Sequence, residues 1–203
     1  MKKLIIFGLE QFAELANFYF TNDSEYEVVG FCVDKEYKIK DKFCNLPVFC
    51  FEDLKNNDEI YYFLAIFDNK KRADKFNYLK NNNYKMASYI STKSVCFANL
   101  IGENCFILEN NTIQPFVKIG NNNVIWSGNH IGHHSIIEDH VFISSQVVIS
   151  GNCHIESFCW LGVNSAIRDG LTLSENSFIA MSSMITKNTK ANKKYMGVPG
   201  KEY

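Results

Sequence analysis

From Val95 onward every sixth residue of this chain is aliphatic, and no other feature limits the fold so strongly. The steps fall on Val95, Ile101, Ile107, Ile113, Ile119, Ile125, Ile131, Ile137, Ile143, Ile149, Ile155, Leu161, Ile167, Leu173, Ile179 and Ile185. Such residues make up roughly a fifth of an ordinary chain, so an unbroken run of this length is not an accident of composition. Four positions after each aliphatic the residue is mostly small or polar, as at Cys105, Asn111, Asn123, Asn129, Ser135, Cys153, Cys159, Ser165, Ser177 and Ser183. A period of six with this pattern is the signature of hexapeptide repeats in a parallel β-helix, an all-β architecture.

Three repeats per turn give an 18-residue coil in which residues 18 apart stack at about 4.8 Å. Five coils fit between Ile101 and Lys190 with no insertion, so columns follow from arithmetic. The hexapeptide form resembles the left-handed β-helix, an exception to the right-handed crossover rule. Side chains alternate along each strand, so the residues flanking each inward aliphatic point outward. One outward face then carries Phe106, Val124, Phe142, Trp160 and Phe178, with Leu108, Trp126, Ser144, Gly162 and Ala180 beside them. An apolar face of that extent predicts self-association. Cover from the chain's own N-terminal part is the alternative.

The first ninety residues follow other periods. Leu4 to Phe7 reads as a short buried strand, Gly8 as a turn, and Leu9 to Tyr19 as a helix. Further strands are expected over Glu25 to Val33, Ile60 to Phe67 and Met86 to Ile90, with a charged amphipathic helix from about Asn69 to Lys80. Strands alternating with helices predict βαβ units and a parallel sheet, an α/β arrangement.

With 21 basic and 22 acidic residues, net charge -1 and no block of like charges, the chain lacks the electrostatic footprint for nucleic acid or anionic membranes. No apolar run approaches the about 20 residues that cross a bilayer, and Leu4 to Leu9 is too short for a signal segment. A cytoplasmic location is expected. Seven cysteines without a C-x-x-C pair predict reduced thiols that pack as small hydrophobes.

All five histidines (His130, His133, His134, His140 and His154) lie within one short stretch, yet no two are 18 apart, so none stack. No metal is expected; an ion bridged between subunits is the rival reading. His133 and His134 share a corner of the coil, and the same corner one coil later holds Gly151 and Asn152. A histidine titrates near neutrality and suits general-base work, while a glycine N–H can approach a developing oxyanion unobstructed. Solvated turn residues are the alternative reading of the same pattern. Asp34, Asp68 and Asn69 end the second and third strands, where the crevice of an open parallel sheet lies. For Asp68 helix capping competes with ligand binding.

Trp126-Ser-Gly-Asn-His-Ile-Gly-His-His-Ser135, Phe142-Ile-Ser-Ser-Gln-Val-Val-Ile-Ser-Gly151, Leu161-Gly-Val-Asn-Ser165 and Gly197-Val-Pro-Gly-Lys201 together resemble the bacterial sugar acyltransferases of the sialic acid O-acetyltransferase type. That family includes nucleotide-sugar N-acetyltransferases. The resemblance implies a Rossmann-like nucleotide-sugar-binding domain over residues 1–92, a left-handed β-helix over 93–190 and a C-terminal tail over 191–203. It also implies a homotrimer, with acetyl-CoA between neighbouring β-helices and a nucleotide-linked amino sugar held by the N-terminal domain. Family members place the catalytic base at the position of His133, and Gly151 matches the glycine whose N–H faces the thioester carbonyl. The position after the base is often acidic in the family, whereas here it is His134. Gly197 and Lys201 belong to the tail motif and are implied in cofactor binding. Of the family's Gly-x-Gly-like turn, the segment Gly8-Leu-Glu-Gln-Phe-Ala13 keeps only the first glycine, which with Asp34, Asp68 and Asn69 is implied in substrate binding. The activity implied is acetyl transfer to a sugar amine; transfer to a sugar hydroxyl and a non-catalytic trimeric scaffold are its rivals.

Overall fold

The apolar run near the start folds as β1 (Lys2–Phe7), fully buried from Leu4 because it lies in the interior of a sheet. The computed structural model describes residues 1–203 and divides into two units, Met1–Tyr89 and Ile90–Tyr203. In the first unit β1 is followed by α1 (Gln11–Asn22), β2 (Tyr26–Val33), β3 (Lys42–Phe43), β4 (Leu46–Cys50), β5 (Ile60–Leu64), α2 (Asn69–Asn81) and β6 (Lys85–Met86). The sheet order is β3-β4-β2-β1-β5-β6, and every pairing is parallel except the β3–β4 hairpin.

Both faces of this sheet are covered, as parallel strands require. Phe63 of β5 meets Phe12 and Phe20 of α1 on one face. Its neighbours Tyr62 and Leu64 join Phe76 and Leu79 of α2 in a cluster on the other. The strand expected to reach Phe67 stops at Leu64. Arg72 of α2, completely buried, donates to the carbonyls of Ile66 (2.8 Å) and Phe67 (3.1 Å) and to Asn69 Oδ1 (2.9 Å), which turns the chain into the helix. The strand expected over Met86 to Ile90 is two short ones, β6 and Tyr89–Ile90.

In the second unit the six-residue period becomes three parallel sheets. One contains the strands starting at Phe106, Val124, Phe142, Trp160 and Phe178; a second those at Thr112, His130, Val148, Ala166 and Met184; a third those at Leu100, Lys118, Ile136, His154 and Thr172. Each strand pairs with the one 18 residues on, for example Ile107 with Ile125 and Ile125 with Ile143. The inward aliphatics from Ile107 to Ile185 are buried in a single core. Every corner takes a left-handed backbone at its second turn residue, from Asn104 (φ 54) by steps of six to Ser182 (φ 56). Asparagine and glycine tolerate that conformation best and fill most of these sites.

The inward polar residues are explained by the backbone. Asn111 Oδ1 accepts the Asn129 N–H (2.9 Å), Asn129 Oδ1 the Val147 N–H (2.7 Å), and Ser135 Oγ the Cys153 N–H (3.1 Å). Each satisfies a donor one coil on that the corner leaves unpaired.

Three expectations are corrected. Val95 is not an inward position: the first coil is one residue short, Val95 pairs with Thr112, and Cys96 stacks on Ile113. Val95 is therefore 52% exposed while Cys96 packs against the core. The apolar outward face is not free either, because Phe106, Leu108, Val124 and Phe142 are already buried within one chain. Of the leading column only Phe178, 36% exposed, and the partly buried Trp160, stacked on Phe142 at 3.9 Å, retain access. Residues 191–203 are not a plain tail: Lys194–Met196 adds a parallel strand beside Phe178–Ile179, and Lys201–Glu202 turns back against it. No helix is long and apolar enough to cross a membrane.

Candidate functional site

His133 and His134 form the corner between the second and third sheets, and His134 holds its left-handed turn position (φ 60). The backbone is pinned on both sides. His133 N–H donates to Gln114 Oε1 of the preceding coil (2.9 Å), and its carbonyl accepts from Asn152 of the next (2.9 Å). Both imidazoles are solvent-exposed.

The His133 ring lies against Gly151. A Cβ built on that glycine would stand 2.8 Å from Cε1 and 2.9 Å from Nε2, closer than van der Waals contact permits, so only glycine leaves the imidazole where it is. The Gly151 N–H donates to no group of the chain, while its carbonyl accepts from Gly170 (3.0 Å). Other first-turn residues, such as Ser145 and Val163, also leave this N–H free. What distinguishes Gly151 is the imidazole beside it: one corner presents a basic nitrogen and a backbone donor to the same solvent-facing space. That pair can take a proton from a nucleophile and stabilise a developing oxyanion.

The second imidazole is tied to the first. The two Nδ1 atoms are 3.1 Å apart with ring planes at 86°. On its other side His134 meets the phenyl ring of Phe116, one coil earlier, at 4.6 Å. Cys153, two residues beyond Gly151, is turned inward and buried, and its thiol donates to the Arg168 carbonyl (3.2 Å). Burial raises its pKa, so it is a packing residue and no nucleophile.

The remaining histidines are dispersed. His140 Nδ1 faces the Asn122 amide (2.8 Å), His154 Nε2 faces Glu138 Oε1 (2.7 Å), and His130 lies on the second sheet. No group of three or more His, Cys, Asp or Glu side chains is arranged to hold a metal ion.

In the first unit the four expected residues sit at the carboxyl ends of β1, β2 and β5. Gly8 has φ +133, and a Cβ there would meet the Ala65 carbonyl oxygen at 2.9 Å, so glycine is required. Asp34 is ion-paired with Lys75 (2.5 Å), whose ammonium also sits over the rings of Phe7 and Phe51. Asp68 caps α2 by accepting the N–H groups of Lys70 and Lys71 (both 2.9 Å), and Asn69 accepts from Arg72. All three polar side chains offered by the sequence here, Asp34, Asp68 and Asn69, are thus engaged by the chain itself.

A cleft of about 650 Å³ opens beside Gly8, lined by Leu9, Glu10, Phe12, Glu14, Phe43 and Phe67. Its floor is aromatic, and the carboxylates of Glu10 and Glu14 flank the start of α1, where they oppose an anion on that helix end. Gly197 and Lys201 lie at the far end of the coil; Gly197 donates to Ser183 Oγ (3.1 Å), and the end is about three coil spacings, roughly 15 Å, from His133.

Sequence reasoning missed Gln114 and Phe116, although both follow from stepping back along the coil from the histidine corner. The aromatic cleft had no such signal, because Phe43 and Phe67 are distant in sequence and come together only in the folded sheet.

Comparison with known proteins places these observations. Residues 100–133 and 116–151 match the family model described as bacterial transferase hexapeptide (six repeats). Among curated proteins, the acyl-[acyl-carrier-protein]–UDP-N-acetylglucosamine O-acyltransferase of Pseudomonas paraeruginosa is 27% identical over 107 residues, 49% of this chain and 42% of the relative. The chain thus matches less than half the length of that relative. Among solved structures, the acetyltransferase domain of PglB from Neisseria gonorrhoeae in complex with acetyl coenzyme A superposes with a TM-score of 0.89 at 15% identity, covering 100% of this chain and 99% of that one. A perosamine N-acetyltransferase from Caulobacter crescentus, in complex with CoA and GDP-perosamine, gives 0.83 at 15% identity over 99% and 96%. At such identities the likeness establishes the fold: an N-terminal α/β unit followed by a coil of hexapeptide repeats.

Proposed function

We propose that this chain is an acetyl-CoA-dependent N-acetyltransferase that acts on the amino group of a nucleotide-linked amino sugar in bacterial glycan assembly. The observation that carries the reading is the His133 imidazole lying against Gly151, a base beside an unpartnered backbone N–H. His133 takes the proton from the amine as its nitrogen attacks the thioester carbonyl. Gly151 N–H stabilises the tetrahedral oxyanion, and CoA leaves as the carbon–sulfur bond breaks, its thiolate recovering the proton from the imidazolium. The relatives support the substrate classes: one neighbour was solved with acetyl coenzyme A, and another with CoA and GDP-perosamine.

The first unit, read as a Rossmann-like domain, holds the nucleotide, its base stacked on the rings of Phe12, Phe43 and Phe67 in the cleft beside Gly8. The coil, read as a left-handed β-helix, carries acetyl-CoA toward its carboxyl-terminal end, where Gly197 and Lys201 lie. The same reading makes the protein a cytoplasmic homotrimer. Acetyl transfer to a hydroxyl is the second reading, favoured by the curated relative's name as an O-acyltransferase.

A coupled assay of free CoA over a panel of nucleotide-linked amino sugars tests the proposal, and no turnover with any amine despite bound acetyl-CoA would reject it. Mild alkali separates the two readings, since an ester is lost and an amide survives.

A further inference from the structure

We propose that His134 is the positioning residue of the site, fixing the tautomer and orientation of His133 through an Nδ1–Nδ1 hydrogen bond, with Phe116 clamping the His134 ring. The proposal rests on the reading of His133 as the base. Two nitrogens 3.1 Å apart share one hydrogen, so one Nδ1 carries N–H and the other a lone pair. If His133 is the donor, its Nε2 is bare, and Nε2 is an atom that faces Gly151. If His133 is the acceptor, Nε2 carries the proton, and the only bare nitrogen, Nδ1, has its lone pair occupied by His134. The arrangement with His134 as acceptor is the competent one, and when Nε2 takes up a proton the Nδ1–H bond becomes charge-assisted and strengthens.

The surroundings are built for this. Phe116 is 55% exposed and holds a left-handed backbone (φ 69), a costly place for a bulky side chain, yet its ring lies against His134. The corner residues on either side, Pro115 with Phe116 and Gly151 with Asn152, carry no ionisable side chain. Gln114, which holds the His133 backbone, is neutral, and the next carboxylate along the corner column is Asp169, two coils from the histidines. No carboxylate of this column stands where one could orient His133, and His134 takes that place.

Two measurements test this on the full chain. Nitrogen-15 correlation spectra of histidine-labelled protein without ligand report the tautomers directly. The expected result is His133 protonated at Nδ1 and His134 bare at Nδ1, with His133 reverting toward the Nε2–H form in His134→Phe. Phenylalanine keeps the ring stack, and this fold accepts it at left-handed corners in Phe116 and Phe158. His133 protonated at Nε2 in the wild type, or an unchanged tautomer in His134→Phe, would overturn the proposal whether or not the protein turns over. With acetyl-CoA and the amino sugar that the wild type uses best, His134→Phe should lower kcat about 10- to 100-fold with KM for acetyl-CoA unchanged. His134→Glu should restore much of the rate and move the acid limb of the pH profile upward, because a carboxylate favours the imidazolium. A His134→Phe rate and acid limb equal to the wild type's would also overturn it. Absence of acetyl transfer by every form, with the tautomers as expected, would reject the acyltransferase reading and leave the hydrogen bond standing.

Discussion

The two units of this chain solve the same packing problem by opposite means. In the coil each residue is supported by residues 18 before and 18 after it, and the same aliphatic-in, small-polar-in rule repeats along the axis. In the sheet unit no spacing repeats: β1 sits between β2 and β5, both brought back by helices, and a buried Arg72 holds one turn. Stability in the coil is therefore a sum of neighbour terms, whereas the sheet unit has one shared core. The consequence for function is that a coil corner can carry exposed chemistry at little structural cost. In the sheet the polar groups at the strand ends are largely consumed by holding the fold.

The sharpest test of that contrast is His133→Ala. A positioned base contributes about 10²–10⁴-fold, roughly 3 to 5 kcal/mol of barrier. The expected outcome is a kcat lowered by that order with thermal unfolding unchanged, since the exposed ring packs only on Gly151 and bonds only the equally exposed His134. A large loss of stability would show that corner side chains are structural after all.

Next in size is Asn129→Ala. Its Oδ1 is the partner of the buried Val147 N–H (2.7 Å), so truncation orphans a donor at a cost of about 1–3 kcal/mol. Hydrogen exchange should quicken in the coils around Val147 and leave the sheet unit protected. Loss of protection in both units together would break the picture of local neighbour terms.

The contrast also explains what was legible in the sequence. The coil follows from a period of six because every neighbour lies a fixed number of residues away, and His133, His134 and Gly151 fall at one corner by that arithmetic. It failed at Val95, where one missing residue shifts the register. The apolar face pointed to self-association, with cover from the chain's own N-terminal part as the alternative, because counting finds outward residues without telling what covers them. In the sheet unit the strands Lys2–Phe7 and Tyr26–Val33 were visible as apolar runs, but the β3–β4 hairpin was not. Its turn is Cys44-Asn45, both with positive φ (48 and 63), and lacks the glycine that normally marks such a loop. Asp34, Asp68 and Asn69 were visible as polar strand ends, and the cap that Asp68 places on Lys70 and Lys71 and the Asn69–Arg72 contact are local, but the ion pair of Asp34 with Lys75 spans 41 residues and no local pattern announces it.

Asp68→Ala should act in the opposite way to Asn129→Ala. Loss of the cap on Lys70 and Lys71 costs about 1 kcal/mol. Because α2 packs on the shared core, protection should fall across the whole sheet unit and not only at the helix start. Exchange confined to the first turn of α2 would show that the unit is less cooperative than its single core implies.

The smallest effect compares one carboxylate from each unit. Glu138, on the coil, is pushed up by partial burial but held below the ordinary glutamate value by hydrogen bonds from His154 (2.7 Å) and from the Ser157 hydroxyl and N–H (both 3.0 Å). Glu52, in the sheet unit, is lowered by its own backbone N–H and by that of Lys35. In each case the unfolded chain binds the proton more readily than the folded one, so the unfolded state carries more protons in the window of titration. Stability from these groups is therefore complete above the unfolded pKa, about 4.3, and is lost as pH falls through the lowered folded value. Both partners of the Glu138–His154 contact are more than a third exposed, 38% and 40%, so solvent keeps the contribution small. Melting curves between neutral and acid pH should show a shallower acid loss for Glu138→Gln than for the wild type, because glutamine does not titrate and keeps an acceptor for Ser157. The loss removed should register as exchange in the coils joined by His154 and Ser157, while Glu52→Gln should flatten the acid response of the sheet unit alone. Identical acid slopes in wild type and Glu138→Gln would mean that the network binds the protonated carboxyl as well as the charged one.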